Sequence, residues 1–236
     1  MPVSRSSSQP STSPAEQVAA YGDRLFANGT GIVAVAIGVG GYFDQGNKYK
    51  FDTGNMRHRF FVWPEEREKV INLVVRSAKK HDVYVIPNLR SARSAKAGSS
   101  LGASYCWADI DRITDTSTRR LEALLSQGSF LVQSGRGLHV YIRLDGFYSS
   151  EVIEDLNERL AVYLAADSKW YECALLRFPG TFNHKGRAAG CEDIGSIQSA
   201  YNAGFSEHPL SNRILEDLRL LKRRELDRTN ADPPVM

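Results

Sequence analysis

The segment Gly102–Asp111 constrains this chain more than any other. Small and apolar residues, Gly102-Ala103-Ser104-Tyr105-Cys106, lead into Trp107-Ala108-Asp109-Ile110-Asp111 and then into polar, helix-forming sequence. Read as a β-strand, it projects Asp109 and Asp111 from one face, ~7 Å apart, because side chains alternate across a sheet. Carboxylates that close repel each other. One reading is a strand running out into an acidic turn. The other is a pair of hard oxygen ligands for magnesium or manganese, which would remove the repulsion. Partners elsewhere in the chain decide between them.

Strand and helix patterns interleave on both sides of this segment. Residues 15–27 have helical spacing, with Val18, Tyr21 and Leu25 on one side. Ile32–Val39 has the composition of a buried strand, and Gly38-Val39-Gly40-Gly41 after it reads as a turn or bulge in a meander. It is not a phosphate loop: no helix follows and GxxxxGK[ST] is absent. Phe51 and then Arg59–Trp63 suggest further strand, and Pro64-Glu65-Glu66 opens a helix to about Lys80. Val83–Pro87 is a strand, Ser117–Leu125 a helix, and Phe130–Gln133 with Leu138–Leu144 a β-hairpin around a Gly-rich connection. Ser149 to about Ala165 is a helix with Val152, Ile153, Leu156, Leu160 and Leu164 on its core face. Ile194–Ile197 reads as a last short strand and Leu210–Asp227 as a charged peripheral helix. The pattern is α+β with antiparallel or mixed sheets.

Composition narrows the function. The 30 Lys and Arg nearly balance the 27 acids, leaving +3, so affinity for nucleic acid must come from local clustering. Cys106, Cys173 and Cys191 have no CxxC or Cys/His spacing, which argues against a zinc site and a disulfide framework and for a reduced, cytoplasmic setting. No apolar run approaches membrane-spanning length. Residues 1–14, rich in Ser and Pro, are expected to be a disordered tail.

Three further stretches are candidates for chemistry. Ser134-Gly135-Arg136-Gly137-Leu138-His139 combines glycines that admit an anion with donors from Ser134, Arg136 and His139. Arg177-Phe178-Pro179-Gly180-Thr181-Phe182-Asn183-His184-Lys185 brackets a Pro-Gly turn with donors of different length. The loop Asn88–Ser100 carries Arg90, Arg93 and Lys96 among small residues, without apolar anchors. It is either a flexible solvated loop or a phosphate-tracking arm.

Asp109/Asp111, Ser134–His139 and Arg177–Lys185 stand in an order that resembles the primase-polymerase domains of the archaeo-eukaryotic primase superfamily, especially those of phage and plasmid replication proteins. The resemblance covers about residues 30–200. It implies a two-lobed fold, an N-terminal α/β module packed on an RRM-like mixed or antiparallel sheet with flanking helices. The catalytic domain would span 15–205, with a charged helix and tail over 206–236. It also implies a third acidic residue ahead of the Arg177 segment: Asp167, with Glu172 as competitor.

By the same resemblance, Asp109, Asp111 and Asp167 would hold two divalent ions, magnesium or manganese, for in-line phosphoryl transfer onto a single-stranded DNA template. Ser134, Arg136, Gly137 and His139 would hold nucleotide phosphates, Arg177 and Lys185 would add charge there, and Asn183 would orient the sugar or the loop. Arg90, Arg93 and Lys96 would contact template or nucleotide phosphate. The partners implied are DNA and (d)NTPs. A replicative helicase would be a separate domain or subunit, since no Walker A sequence appears. The protein is expected to be a monomer, without a membrane or zinc.

Two rivals make different demands. A rolling-circle-type initiator nuclease needs paired histidines, but His139 stands alone in Leu138-His139-Val140-Tyr141. A non-catalytic RNA-recognition-like module needs exposed sheet aromatics, for which Tyr141 is the one candidate.

Overall fold

The computed structural model describes residues 13–27, 29–124, 129–134, 137–185 and 200–201. They form two four-stranded sheets, a small hairpin and four helices. Strand β1 (Gly31–Gly38) is buried from Val33 to Ala36 on both faces, as its unbroken apolar run requires. It is flanked by β4 (Met56–Trp63) and β5 (Asp82–Val85), with β9 (Leu176–Arg177) beyond β5. Every pairing in this first sheet is antiparallel. Between β1 and β4 the chain forms the hairpin of β2 (Tyr42–Phe43) and β3 (Tyr49–Lys50). It is the expected meander: a Cβ on Gly41 would overlap the Tyr49 hydroxyl, so glycine lets the hairpin fold back.

The second sheet runs β10 (Ala200–Tyr201), β7 (Phe130–Gln133), β8 (Leu138–Tyr148), β6 (Ala103–Ile110), again antiparallel throughout. The hairpin expected from the Gly-rich spacing is β7–β8. Helix α4 (Ser150–Leu164) packs along β6, with α3 (Asp115–Leu124) beside it. Thr114 and Ser117 cap α3 reciprocally, each side chain accepting the other's backbone N–H. The outer edge of β6 is closed off. The buried Asn157 of α4 accepts from the Trp107 N–H at 2.7 Å, and the Trp107 indole donates to the Lys169 carbonyl at 2.9 Å. Those contacts hold the 167–170 segment against the strand.

Helix α1 (Pro14–Leu25) joins the two sheets. Ser13 and Glu16 form a capping box, so Ser13 and Pro14 belong to this helix and not to the tail expected over 1–14. Its Tyr21 ring meets Phe130, Tyr141 and Phe178 edge-on, and the Tyr21 and Tyr141 hydroxyls pair at 2.7 Å. The next residue, Gly22, and Phe26 one turn on pack against Trp63 of the first sheet. Tyr141 is fully buried, so the aromatic that an RNA-recognition-like binder would expose lies in the core.

Helix α2 (Arg67–Ala78) covers the first sheet. It starts three residues later than Pro64 suggested, because Pro64–Glu66 forms a turn in which the Glu66 carboxylate accepts from the Val62 N–H. The strand expected at 194–197 and the helix expected from 210 lie outside the described residues.

Candidate active site

The three acids converge at the end of β6. Asp109, the penultimate residue of that strand, is 9% exposed, and its carbonyl accepts from the Asp167 N–H at 2.8 Å in an antiparallel bridge. This bridge sets Asp167 beside Asp109. Asp111 lies one residue past β6 in an exposed bend, with its carboxyl close enough to act on that of Asp167. Burial, then that contact and the charge of Asp111, raise the Asp167 carboxyl above its ordinary value; Lys169 and Lys185 act the other way. The Asp109 carboxyl is pushed up to about 7, by burial first and then by Asp111 and Asp167, against the pull of Lys169 and Arg177.

His139 faces Asp109 across the β6–β8 ladder. Its Nε2 stands 3.5 Å from Asp109 Oδ1, too long for a hydrogen bond. Burial, helped by the charges of Arg177 and Lys169, holds the imidazole down at about 3, so it is neutral and makes no ion pair. Asp109 Oδ1 and His139 Nδ1 are both buried without a hydrogen-bond partner. Such orphans are rare in a native interior and point to a missing ligand.

Gly137 is where β8 reaches the acids. A Cβ there would overlap the Ile110 carbonyl oxygen and lie 3.0 Å from Asp111 Cα. The absence of a side chain lets the loop seat directly on the strand backbone beside Asp111. The Ser134 N–H donates to the Gly137 carbonyl at 3.0 Å, closing the loop between β7 and β8. Gly135 and Arg136 lie outside the described residues.

From the first sheet, β9 brings Arg177 to the same place. Its side chain is 8% exposed and pairs with Asp82 at 2.7 Å. The guanidinium also donates to the Phe182 carbonyl, the Tyr84 hydroxyl and Asn183 Oδ1, and lies over the Tyr84 ring at 4.9 Å. Both terminal nitrogens therefore already have acceptors within the protein. Burial acts to lower the Arg177 pKa, but Tyr84 and Asp82 outweigh it and keep the group charged. Asn183 Nδ2 donates to the Ser134 carbonyl at 3.0 Å, tying the two motifs together. Lys185, with an exposed side chain, sits near enough to Asp167 to lower its pKa.

The loop expected to track phosphate is organised differently. Arg90 is fully buried, contrary to its expected contact with template. It donates to Asn88 Oδ1 and to the carbonyls of Glu172, Ser94 and Lys96, with the Glu172 carboxylate 3.6 Å away. The buried Leu89 supplies an apolar anchor, where none was expected. Glu172 also accepts from the Ser150 hydroxyl and the Gly98 N–H, so the competitor for third acid is engaged away from Asp109. Arg93 and Lys96 are exposed.

Sequence reasoning overlooked Asp82, Tyr84 and Lys169. Asp82 and Tyr84 alternate with Val83 and Val85, which was the available signal for a polar face on β5. Lys169 carried no signal except its place two residues after Asp167.

A divalent cation fits this donor set in one respect and not in another. Two carboxyls in contact need a proton or a cation between them, and Asp109 offers an unpartnered oxygen. Among the described residues, however, no group of three or more His, Cys, Asp or Glu side chains is arranged to hold a metal ion.

No protein-family model matches the sequence, and no curated protein does. Solved structures do. The AEP domain of the cyanophage S-2L primase-polymerase superposes with a TM-score of 0.57 at 14% identity, over 86% of this chain and 97% of that one. The catalytic domain of primase RepB′, solved in complex with initiator DNA, gives 0.59 at 12% identity, over 93% of this chain and 100% of that one. A second structure of primase RepB′ gives 0.54 at 13% identity, over 92% of this chain and 69% of that one. The chain has the fold of these primase-polymerase domains, as the order of its motifs implied.

Proposed function

We propose that the protein is a DNA-dependent nucleotidyltransferase, a primase or DNA polymerase of a phage or plasmid replication protein. One observation carries the proposal. On a primase-polymerase fold, the Asp109–Asp167 bridge sets two acids side by side, with Asp111 next to them, an Asp109 oxygen left unpartnered, and a loop seated on Asp111. Burial, reinforced by the neighbouring acids, raises the Asp109 and Asp167 carboxyls, and such strain is costly unless it serves a cation.

Asp109, Asp111 and Asp167 would hold magnesium or manganese, which when bound supplies charge neutralisation for an incoming triphosphate and an attacking 3′-hydroxyl. His139, held neutral, adds no charge beside Asp109 and leaves its Nδ1 without a partner in the protein. Ser134 and Lys185 flank the same space and would take the outer phosphates. Arg177 contributes its positive charge from beneath, fixed by Asp82. No side chain need act as nucleophile, so the protein's part is to position and to balance charge. Exposed Arg93 and Lys96 remain candidates for the template backbone.

The test is extension of a primed single-stranded DNA template with magnesium or manganese. Wild-type protein should incorporate nucleotides, and Asp109→Ala/Asp111→Ala should not. Absence of incorporation by the wild type, or its persistence in the double variant, refutes the reading. Dinucleotide synthesis on an unprimed template then separates priming from extension.

A further inference from the structure

Asp82 is a buried carboxylate outside every motif, 1% exposed at the start of β5. Its Oδ1 accepts from Arg177 Nη1 at 2.7 Å and from the His184 N–H at 3.2 Å, and its Oδ2 accepts from the Tyr49 hydroxyl at 2.9 Å. These donors come from β9, from the loop after it, and from the β2–β3 hairpin. The connections continue past Arg177: Asn183 Oδ1 accepts from Arg177 at 3.3 Å and from the Lys185 N–H at 3.2 Å, while its amide reaches the Ser134 carbonyl. His184 anchors the far side of the loop through its ring, 3.0 Å from the Ala78 carbonyl at the end of α2. The loop's polar side chains are turned inward, and Lys185 is left exposed toward Asp167.

We infer that Asp82 is the positioning residue for the nucleotide side of the site. By locking Arg177, and through it Asn183, it sets the height of Ser134 and Lys185 over the three carboxylates. Tyr49 extends the same lock into the β2–β3 hairpin, so displacement of that hairpin reaches Lys185 through one carboxylate. The inference rests on the polymerase reading, in which Ser134 and Lys185 meet a triphosphate. A merely structural Asp82 would lower thermal stability and leave nucleotide affinity unchanged in the folded fraction. A positioning Asp82 acts on nucleotide affinity by way of Lys185.

Asp82→Asn removes the charge at nearly constant volume, and Tyr49→Phe removes one donor. We expect Asp82→Asn to raise the nucleotide KM and Kd by about 10- to 100-fold, the scale on which misplacement of a binding group acts. Single-stranded DNA affinity should stay unchanged, and the His184 amide should lose hydrogen-exchange protection. Tyr49→Phe should act in the same direction but by less, since it removes one of the three hydrogen bonds that the carboxylate accepts. In a double-mutant cycle, Lys185→Ala should cost less in the Asp82→Asn background than in the wild type.

Wild-type nucleotide affinity in folded Asp82→Asn, or full additivity with Lys185→Ala, overturns the inference. If Asp82→Asn does not fold, the cycle between Tyr49→Phe and Lys185→Ala decides by the same criterion. Wild-type protein that binds no nucleotide overturns the polymerase reading and this inference together. Wild-type binding with an unaffected Asp82→Asn overturns this inference alone.

Discussion

Replacing Asp109 by Asn should stabilise the metal-free protein above neutral pH. The Asp109 carboxyl titrates at about 7 in the folded protein, against 3.8 ordinarily. That difference, about 3, corresponds to ~4 kcal/mol between its two protonation states. The sign follows from proton linkage. With the folded pKa raised, the native state keeps a proton that the unfolded chain has released between pH 3.8 and 7. Stability on this account is greatest below the unfolded pKa, falls as pH rises through that window, and above about 7 carries the whole penalty. The carboxamide of the variant is neutral throughout and escapes it.

That carboxamide brings its own cost, since a buried N–H₂ beside an already unpartnered oxygen loses about 1–2 kcal/mol. The net gain at pH 8 is therefore about 2 kcal/mol, or a Tm ~4–8 °C higher for a chain of this size. Near pH 5 the two contributions cancel and the curves should meet. Thermal unfolding in EDTA across pH 5–8 measures this. Magnesium at pH 8 should then raise the wild-type Tm and leave Asp109→Asn behind. The reasoning fails if the variant is no more stable than wild type at pH 8 without metal, or if magnesium stabilises both alike.

Gly137→Ala drives a methyl into the Ile110 carbonyl, which is backbone of a paired strand and cannot yield. We expect a loss of about 1–3 kcal/mol in denaturant unfolding, with nucleotide incorporation lost; unchanged stability would mean that the loop is not seated on Asp111. Arg90→Met leaves Glu172 buried without its cation and should cost about 3–5 kcal/mol. Arg93→Ala/Lys96→Ala should change stability by no more than about 0.5 kcal/mol. It should also weaken single-stranded DNA binding and flatten its salt dependence by about 0.7 per lost phosphate contact. An unaltered salt slope would remove both residues from the DNA path.

What the sequence determined by itself was local. Alternation at Trp107–Asp111 announced a strand with an acidic end, the Gly-rich spacing after Gln133 announced the β7–β8 hairpin, and the unbroken apolar run at Ile32 announced a strand buried on both faces. Each signal lies within a few residues, because strand period, turn chemistry and caps are short-range properties. The order of the three motifs added the fold, since order survives where the spacing between motifs drifts.

Tertiary structure alone decided which charges are buried. Arg90 stands in a polar, Gly- and Ser-rich loop that every local rule exposes, yet its partners include the Glu172 carbonyl 82 residues away. Asp82 looks like part of a turn until Arg177, 95 residues on, pairs with it. Asp167 rather than Glu172 lies beside Asp109 because one backbone bridge places the first, while Arg90 claims the second. Burial of a charge depends on a partner supplied by another segment, and no window of neighbouring residues contains that partner.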